Sequence, residues 1–329
     1  MSMIDIKKLT KKFGEFTAVD GIDLDVKKGE IFGLLGPNGA GKTTTIKMLS
    51  TTLKVTSGTA KVCGIDVEKD PDNVRKCIGI VFQDPAIDVE LTGKENLDFH
   101  ARMYGMGSKE REKRIEEVLE MVRLEDKADM LVIKYSGGMK RRLEIARGLM
   151  HYPKVLFLDE PTLGLDAQTR RVIWEHVKEI NRKEKITIIL TTHYMDEADF
   201  LCNRIAIMDH GKILTQGTPA RLKSSIGADL ISVKTAKKDV LEDALKKCKW
   251  VIRVNIVGDR LHITAKHGET RIPEIIKTAD NLDVKVDAVE LHKPTLEDVF
   301  IKYTGRNIRE EHADPNGMNR IRARLRGRT

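Results

Sequence analysis

Gly36-Pro37-Asn38-Gly39-Ala40-Gly41-Lys42-Thr43 decides the fold. Two glycines, four spacers and a Lys-Thr pair fit a phosphate-binding loop; the apolar run Ile31–Leu35 precedes it and a helix-like segment, 44–49, follows. A strand therefore feeds a loop that opens a helix. Such a loop curls its backbone N–H groups inward, and the helix N-terminus adds partial positive charge where phosphate oxygens would sit. Lys42 would reach the terminal phosphates and the Thr43 hydroxyl would ligate Mg²⁺, with Thr44 beside them.

Upstream, residues 3–9 and 22–26 alternate apolar and polar as half-buried strands do, with turns at Phe13-Gly14 and Lys27-Lys28-Gly29. They are expected to form an antiparallel flank to the nucleotide-binding sheet. Phe13 stands shortly after the first strand, where an aromatic can stack on an adenine ring or join the core. Downstream, residues 58–62 and 63–66 read as a short hairpin, and the strand 78–82 ends at Gln83. Residues 92–146 turn helical, with Leu97, Ala101 and Met103, then Ile115, Val118, Leu119 and Val122, at three- and four-residue spacing. Near the end of this insertion Ser136-Gly137-Gly138 forms a helix cap with free backbone donors, a second candidate anion site.

Val155-Leu156-Phe157-Leu158 is unbroken in its apolarity, as a central parallel strand is, and it ends in Asp159-Glu160. Adjacent carboxylates at the end of a buried strand are costly without a cation or a proton-transfer task. Asp159 suits a Mg²⁺ partner and Glu160 a general base for an attacking water. A helix at 170–182 follows Leu165-Asp166, and the strand 186–190 ends in Thr191-Thr192-His193, at the carboxyl end of the parallel sheet with the other candidates.

With these motifs in this order the chain resembles the nucleotide-binding subunit of an ATP-binding cassette (ABC) transporter over residues 3–222. The resemblance implies an α/β P-loop NTPase: a RecA-like core with an antiparallel β flank and a helical insertion at about 90–150, within a nucleotide-binding domain spanning 1–226. It implies ATP and Mg²⁺ as ligands. Phe13 matches the adenine-stacking aromatic and Gln83 the loop that senses Mg²⁺ and the membrane partner. Ser136, Gly137 and Gly138 match the signature, here with Tyr135 and Met139 in place of the commonest Leu and Gln. Glu160 matches the catalytic base, Asp166 the loop that crosses between subunits, and His193 the γ-phosphate switch. In this family the signature serves ATP held by a partner, so two copies, or one copy and a close homologue, are expected to close head to tail and to drive a separate membrane permease.

Beyond Gly227 the pattern changes. Strands at 229–234, 251–257, 261–265 and 284–291, with helices at 238–247 and 272–279, give the order βαββαβ of a small ferredoxin-like α+β domain, 227–305. It carries no catalytic cluster and reads as a packing or dimer-stabilising appendix. Pro294-Thr295-Leu296-Glu297-Asp298-Val299-Phe300 opens a last helix capped by Thr295, and this ending resembles the drug-resistance branch of ABC ATPases. Arg320, Arg322, Arg324, Arg326 and Arg328 lie in a basic tail, 306–329, expected to be disordered and solvated.

The formal charge of +8 permits nucleic-acid or anionic-membrane contact without demanding either. Cys63, Cys77, Cys202 and Cys248 show no metal or redox spacing and read as thiols in a reducing compartment. No stretch reaches the roughly 18 apolar residues of a membrane span, and the N-terminus lacks a signal-peptide shape. The expected location is cytoplasmic, peripheral on the inner face of the cell membrane. The expected activity is a Mg²⁺-dependent ATPase that energises efflux of amphiphilic drugs or lipid-like molecules. An importer ATPase and a soluble relative acting on ribosomes or DNA are the alternatives; a nucleic-acid partner is not expected, because such relatives usually carry two cassettes or a long coiled coil.

Overall fold

In the computed structural model, which describes residues 2–304, the alternating N-terminal pattern becomes a long hairpin of Ser2–Phe13 (β1) and Phe16–Lys27 (β2). Both strands outrun the expected 3–9 and 22–26, because pairing continues to Phe13↔Phe16 at the tip. Ile31–Leu35 (β3) leads into Lys42–Leu49 (α1), and Ser57–Val62 (β4) with Ile65–Asp66 (β5) completes a sheet of order β2-β1-β4-β5. Pro71–Cys77 (α2), capped by Asp70, was not legible as a helix from its spacing. Ile78–Val81 (β6) follows it.

The helical insertion consists of Gly93–Met103 (α3), Ser108–Met121 (α4) and Gly137–Leu149 (α5). Thr92 and Glu95 make a reciprocal capping box that starts α3. Leu97, Ala101, Ile115, Val118, Leu119 and Val122 are buried, whereas Met103, grouped with them by spacing, is 71% exposed.

Val155–Asp159 (β7), Ala167–Glu184 (α6), Thr187–Thr192 (β8), Met195–Leu201 (α7), Arg204–Asp209 (β9) and Lys212–Gly217 (β10) complete the first unit. The central sheet runs β10-β9-β3-β8-β7-β6, parallel except for β10. β3, β7 and β8 are buried along their whole lengths, which is why they read as continuous apolar runs. Register aligns their carboxyl ends: Leu35 pairs with Thr192, Thr191 with Asp159, and Leu158 with Val81. Gly36, Glu160 and His193 therefore leave the sheet at one rim.

The second compact unit begins at Ala220, ahead of the expected boundary after Ile226. All of Pro219–Ser224 (α8) but its first residue falls in this unit, and Lys302 donates to the Ser225 carbonyl at 2.6 Å. Asp229–Lys234 (β11), Lys238–Leu245 (α9), Val251–Val257 (β12), Arg260–Ala265 (β13), Gly268–Asn281 (α10) and Ala288–His292 (β14) form an antiparallel sheet of order β12-β13-β11-β14. This is the ferredoxin-like arrangement, its core made of Ile231, Val233, Leu241, Leu261, Ile263 and Ile275. α10 starts four residues before the expected 272, and β14 is shorter than 284–291. In Leu296–Thr304 (α11), Asp298 N–H donates to Thr295 Oγ1 at 3.2 Å while Thr295 N–H donates to Asp298 Oδ2 at 2.7 Å. The arginine tail lies outside the described residues.

Candidate functional site

Between β3 and α1 the loop is shaped by its glycines. A Cβ on Gly36 would stand 2.1 Å from the Met208 carbonyl oxygen; Gly41 has φ +100, and a Cβ there would stand 2.5 Å from the Ala18 carbonyl. No other residue fits either place. Gly41 caps α1 without a side-chain bond, so the helix N-terminus faces the loop with its amides and dipole. Pro37 and Ala40 are buried, Asn38 and Gly39 are exposed at the loop tip, and Thr43 and Thr44 are half-buried.

Lys42 folds back over this loop. Its Nζ donates to the Gly36 carbonyl at 2.7 Å and the Pro37 carbonyl at 2.9 Å, and lies 3.3 Å from Glu160 Oε1. The other Glu160 oxygen, Oε2, is 2.8 Å from His193 Nδ1. One carboxylate thus bridges an ammonium and an imidazole. Burial pushes the Glu160 carboxyl up, but the His193 hydrogen bond and the charges of Lys42 and His193 outweigh it and hold it below the ordinary range. The Glu160 backbone is in the left-handed region, φ 46, a conformation that persists only where the surroundings over-determine it. Its N–H donates to Thr191 Oγ1 at 2.9 Å.

Asp159 is 1% exposed, and its Oδ1 accepts from Thr43 Oγ1 at 3.0 Å and from Thr191 Oγ1 at 2.5 Å. A carboxylate and hydroxyls beside a loop of inward amides form an oxygen-only donor set. That set would suit a hard cation such as Mg²⁺, with phosphate and water in its remaining positions.

The remaining candidates stand apart from this cluster. Gln83 is exposed just beyond β6. Phe13 is 49% exposed at the hairpin tip, with Lys11 Nζ 5.0 Å from its ring centroid. Ser136 caps α5 by accepting from Met139 N–H at 3.3 Å, and Gly137 and Gly138 pack against Leu165 and Thr169. Asp166 caps α6: it accepts from Thr169 N–H at 2.9 Å and Thr169 Oγ1 at 2.6 Å, which hold its carboxyl below the ordinary range.

Three buried polar residues near these elements escaped the sequence. Thr191 joins Asp159 to Glu160, and its only signal was a polar doublet ending an apolar strand. Arg141 donates to the Asp159, Glu160 and Pro161 carbonyls from α5, partners too distant in sequence to be read locally. Glu197, fully buried on α7, accepts from Thr162 Oγ1 at 2.7 Å and Trp174 Nε1 at 2.8 Å.

Comparison with known proteins adds the following. Residues 19–163 match the family model described as ABC transporter, and residues 217–304 match that of the ATP-binding protein DrrA1-3-like, C-terminal domain. The chain is 39% identical to the daunorubicin resistance ATP-binding protein DrrA2 of Streptomyces coeruleorubidus, over 93% of this chain and 96% of that one. It is 39% identical to the linearmycin resistance ATP-binding protein LnrL of Bacillus subtilis, over 94% and 100%. It is 40% identical to the Nod factor export ATP-binding protein I of Paraburkholderia xenovorans, over 93% and 98%. Among solved structures, a dimeric ATP-binding cassette in a post-hydrolysis state with ADP and Pi matches with a TM-score of 0.59 and 31% identity, covering 66% of this chain and 98% of that one. The cbiO1 protein of Clostridium perfringens, part of an ABC transporter complex, matches with a TM-score of 0.63 and 29% identity, covering 75% and 95%.

Proposed function

The chain belongs to the ATP-binding, ATP-hydrolysing subunits of ABC exporters, and from that premise we propose that two copies, or one copy and a near homologue, sandwich two ATP molecules and drive a separate membrane permease. What carries the conclusion is the meeting of Lys42, Glu160 and His193 at the rim where β3, β7 and β8 end. Lys42 and the 36–44 loop hold the phosphates; Thr43 and Asp159, with Gln83 brought in, hold Mg²⁺. Glu160, kept ionised by its neighbours, takes the proton of the attacking water, and His193 orients it and contacts the γ-phosphate. Phe13 stacks on adenine. Ser136, Gly137, Gly138 and Asp166 serve the nucleotide of the opposite copy.

The permease would dock at the Gln83 loop and the helical insertion, in which Phe99 (62%), Met103 (71%) and Ile133 (61%) are exposed. No helix among the described residues is long and apolar enough to cross a membrane. Held by that partner, the chain would lie on the inner face of the membrane. The cargo is an amphiphilic drug or lipid-like molecule; the support is that relatives are named for daunorubicin resistance, linearmycin resistance and Nod factor export. The second unit stabilises the assembly. The test is co-purification from membranes: the tagged chain should bring down a protein with several membrane spans, and its recovery free of any such protein contradicts the proposal.

A further inference from the structure

The helix that Ser136 caps reaches two other motifs through one buried side chain. Arg141 is 7% exposed, and its guanidinium points at backbone carbonyls of two separate segments. Nε donates to the Pro161 carbonyl at 2.7 Å, and Nη2 to those of Asp159 at 2.9 Å and Glu160 at 3.2 Å. Nη1 donates to the Phe82 carbonyl at 2.7 Å and to Glu144 Oε2 at 2.9 Å. Glu144 in turn accepts from Ala86 N–H at 3.0 Å, and Arg147 donates to the Ala86 carbonyl. One face of α5 therefore grips the loop that carries Gln83 and the turn that carries Glu160 at the same time.

Only a planar fork with several fixed donors can serve both segments; an ammonium on a flexible stem reaches one of them. The turn also needs an external hold, since Glu160 sits in the left-handed region. We propose that Arg141 is a positioning residue coupling the Gln83 loop to the Glu160 turn, so that displacement of the loop by a docked permease is felt at the carboxylate. This rests on the assignment of Glu160 as base. Glu144 orients the guanidinium and ties it to Ala86.

The test compares Mg-ATP hydrolysis by the full chain with that of Arg141→Lys, Glu144→Gln, Gln83→Ala and the Arg141→Lys/Gln83→Ala double variant, alongside thermal unfolding. Arg141→Lys should lower kcat at least tenfold with KM for ATP changed less than threefold, in protein whose folded fraction is parental. Should Arg141→Lys fail to fold, Glu144→Gln carries the test with an expected three- to tenfold loss in kcat at unchanged KM. Gln83→Ala should cost much less in the Arg141→Lys background than alone. Parental kcat in a folded Arg141→Lys or Glu144→Gln variant, a parallel rise in KM, or simple multiplication of the two single effects overturns the proposal. Glu160→Gln in the same assay separates the two claims: if it keeps turnover, the base assignment itself fails, whatever Arg141 does.

Discussion

Replacing Glu160 with Gln separates chemistry from binding and from folding. The carboxylate bridges Lys42 at 3.3 Å and His193 at 2.8 Å, so the amide removes a negative charge from between two basic groups. A fully stranded buried charge would cost about 3–5 kcal/mol. Lys42 is not stranded, because the Gly36 and Pro37 carbonyls still accept from it at 2.7 and 2.9 Å, so the loss should be on the order of 1–2 kcal/mol. For a unit of this size that lowers Tm by roughly 2–8 °C. The sign with pH follows from the depressed carboxyl: its contribution is present above the ordinary glutamate range and is lost as pH falls through the folded value. The variant's deficit should therefore shrink on acidification. If Lys42 holds the phosphates as proposed, it would do so whichever residue stands at 160, so nucleotide should stabilise the variant at least as much as the parent. Turnover should fall by about 10²–10⁴, the usual worth of a positioned base. Steady-state hydrolysis and thermal melts with and without Mg-ATP read all three quantities. Turnover within tenfold of parental, or an unchanged melt at neutral pH without nucleotide, would refute the reasoning.

Burial raises the Glu197 carboxyl above the ordinary range, so stability falls as pH rises from the ordinary glutamate range towards the raised folded value; Glu197→Gln, which mimics the protonated acid, should melt closer to the parent at pH 5 than at pH 8, where it should melt higher. Thr295→Ala removes the cap of α11 and should destabilise the second unit by about 1 kcal/mol in a denaturant titration. His100 is pushed down to about 4, chiefly by burial and then by the charges of Arg147 and His151, so the neutral ring favours the fold at pH 7 and the benefit fades on acidification. His100→Asn should therefore lose about 2–3 kcal/mol less stability than the parent between pH 7 and 4.5, by chemical denaturation at each pH.

Motifs that write themselves into a short run of residues were legible. The 36–43 loop, Asp159-Glu160 and His193 needed only their own neighbours, and the alternation in β11–β13 and the Thr295 cap likewise depend on local order. What was hidden depends on register or on distant partners. Thr191 gains its role because it lies opposite Asp159, a fact of strand pairing. Arg141 gives no local sign of its role, because its carbonyl partners at 82 and 159–161 lie far away in sequence. β9 escaped because Ile205-Ala206-Ile207-Met208 is short, and its burial is set by β3 beside it rather than by any alternation of its own. Asp166 shows the opposite case: the sequence marks it through a family motif, while its visible bonds are those of an ordinary helix cap.

Mixing two inactive variants tests the shared-site account most directly. In a sandwich, each pocket takes Lys42 from one copy and Ser136 from the other. Chains carrying Lys42→Ala alone or Ser136→Glu alone should be inactive. A mixed pair places both lesions in one pocket and leaves the other whole, so combining the two proteins should restore Mg-ATP hydrolysis to a substantial fraction of the parental rate. Mixtures that stay as inactive as their components, while each variant remains folded and able to associate, would contradict it.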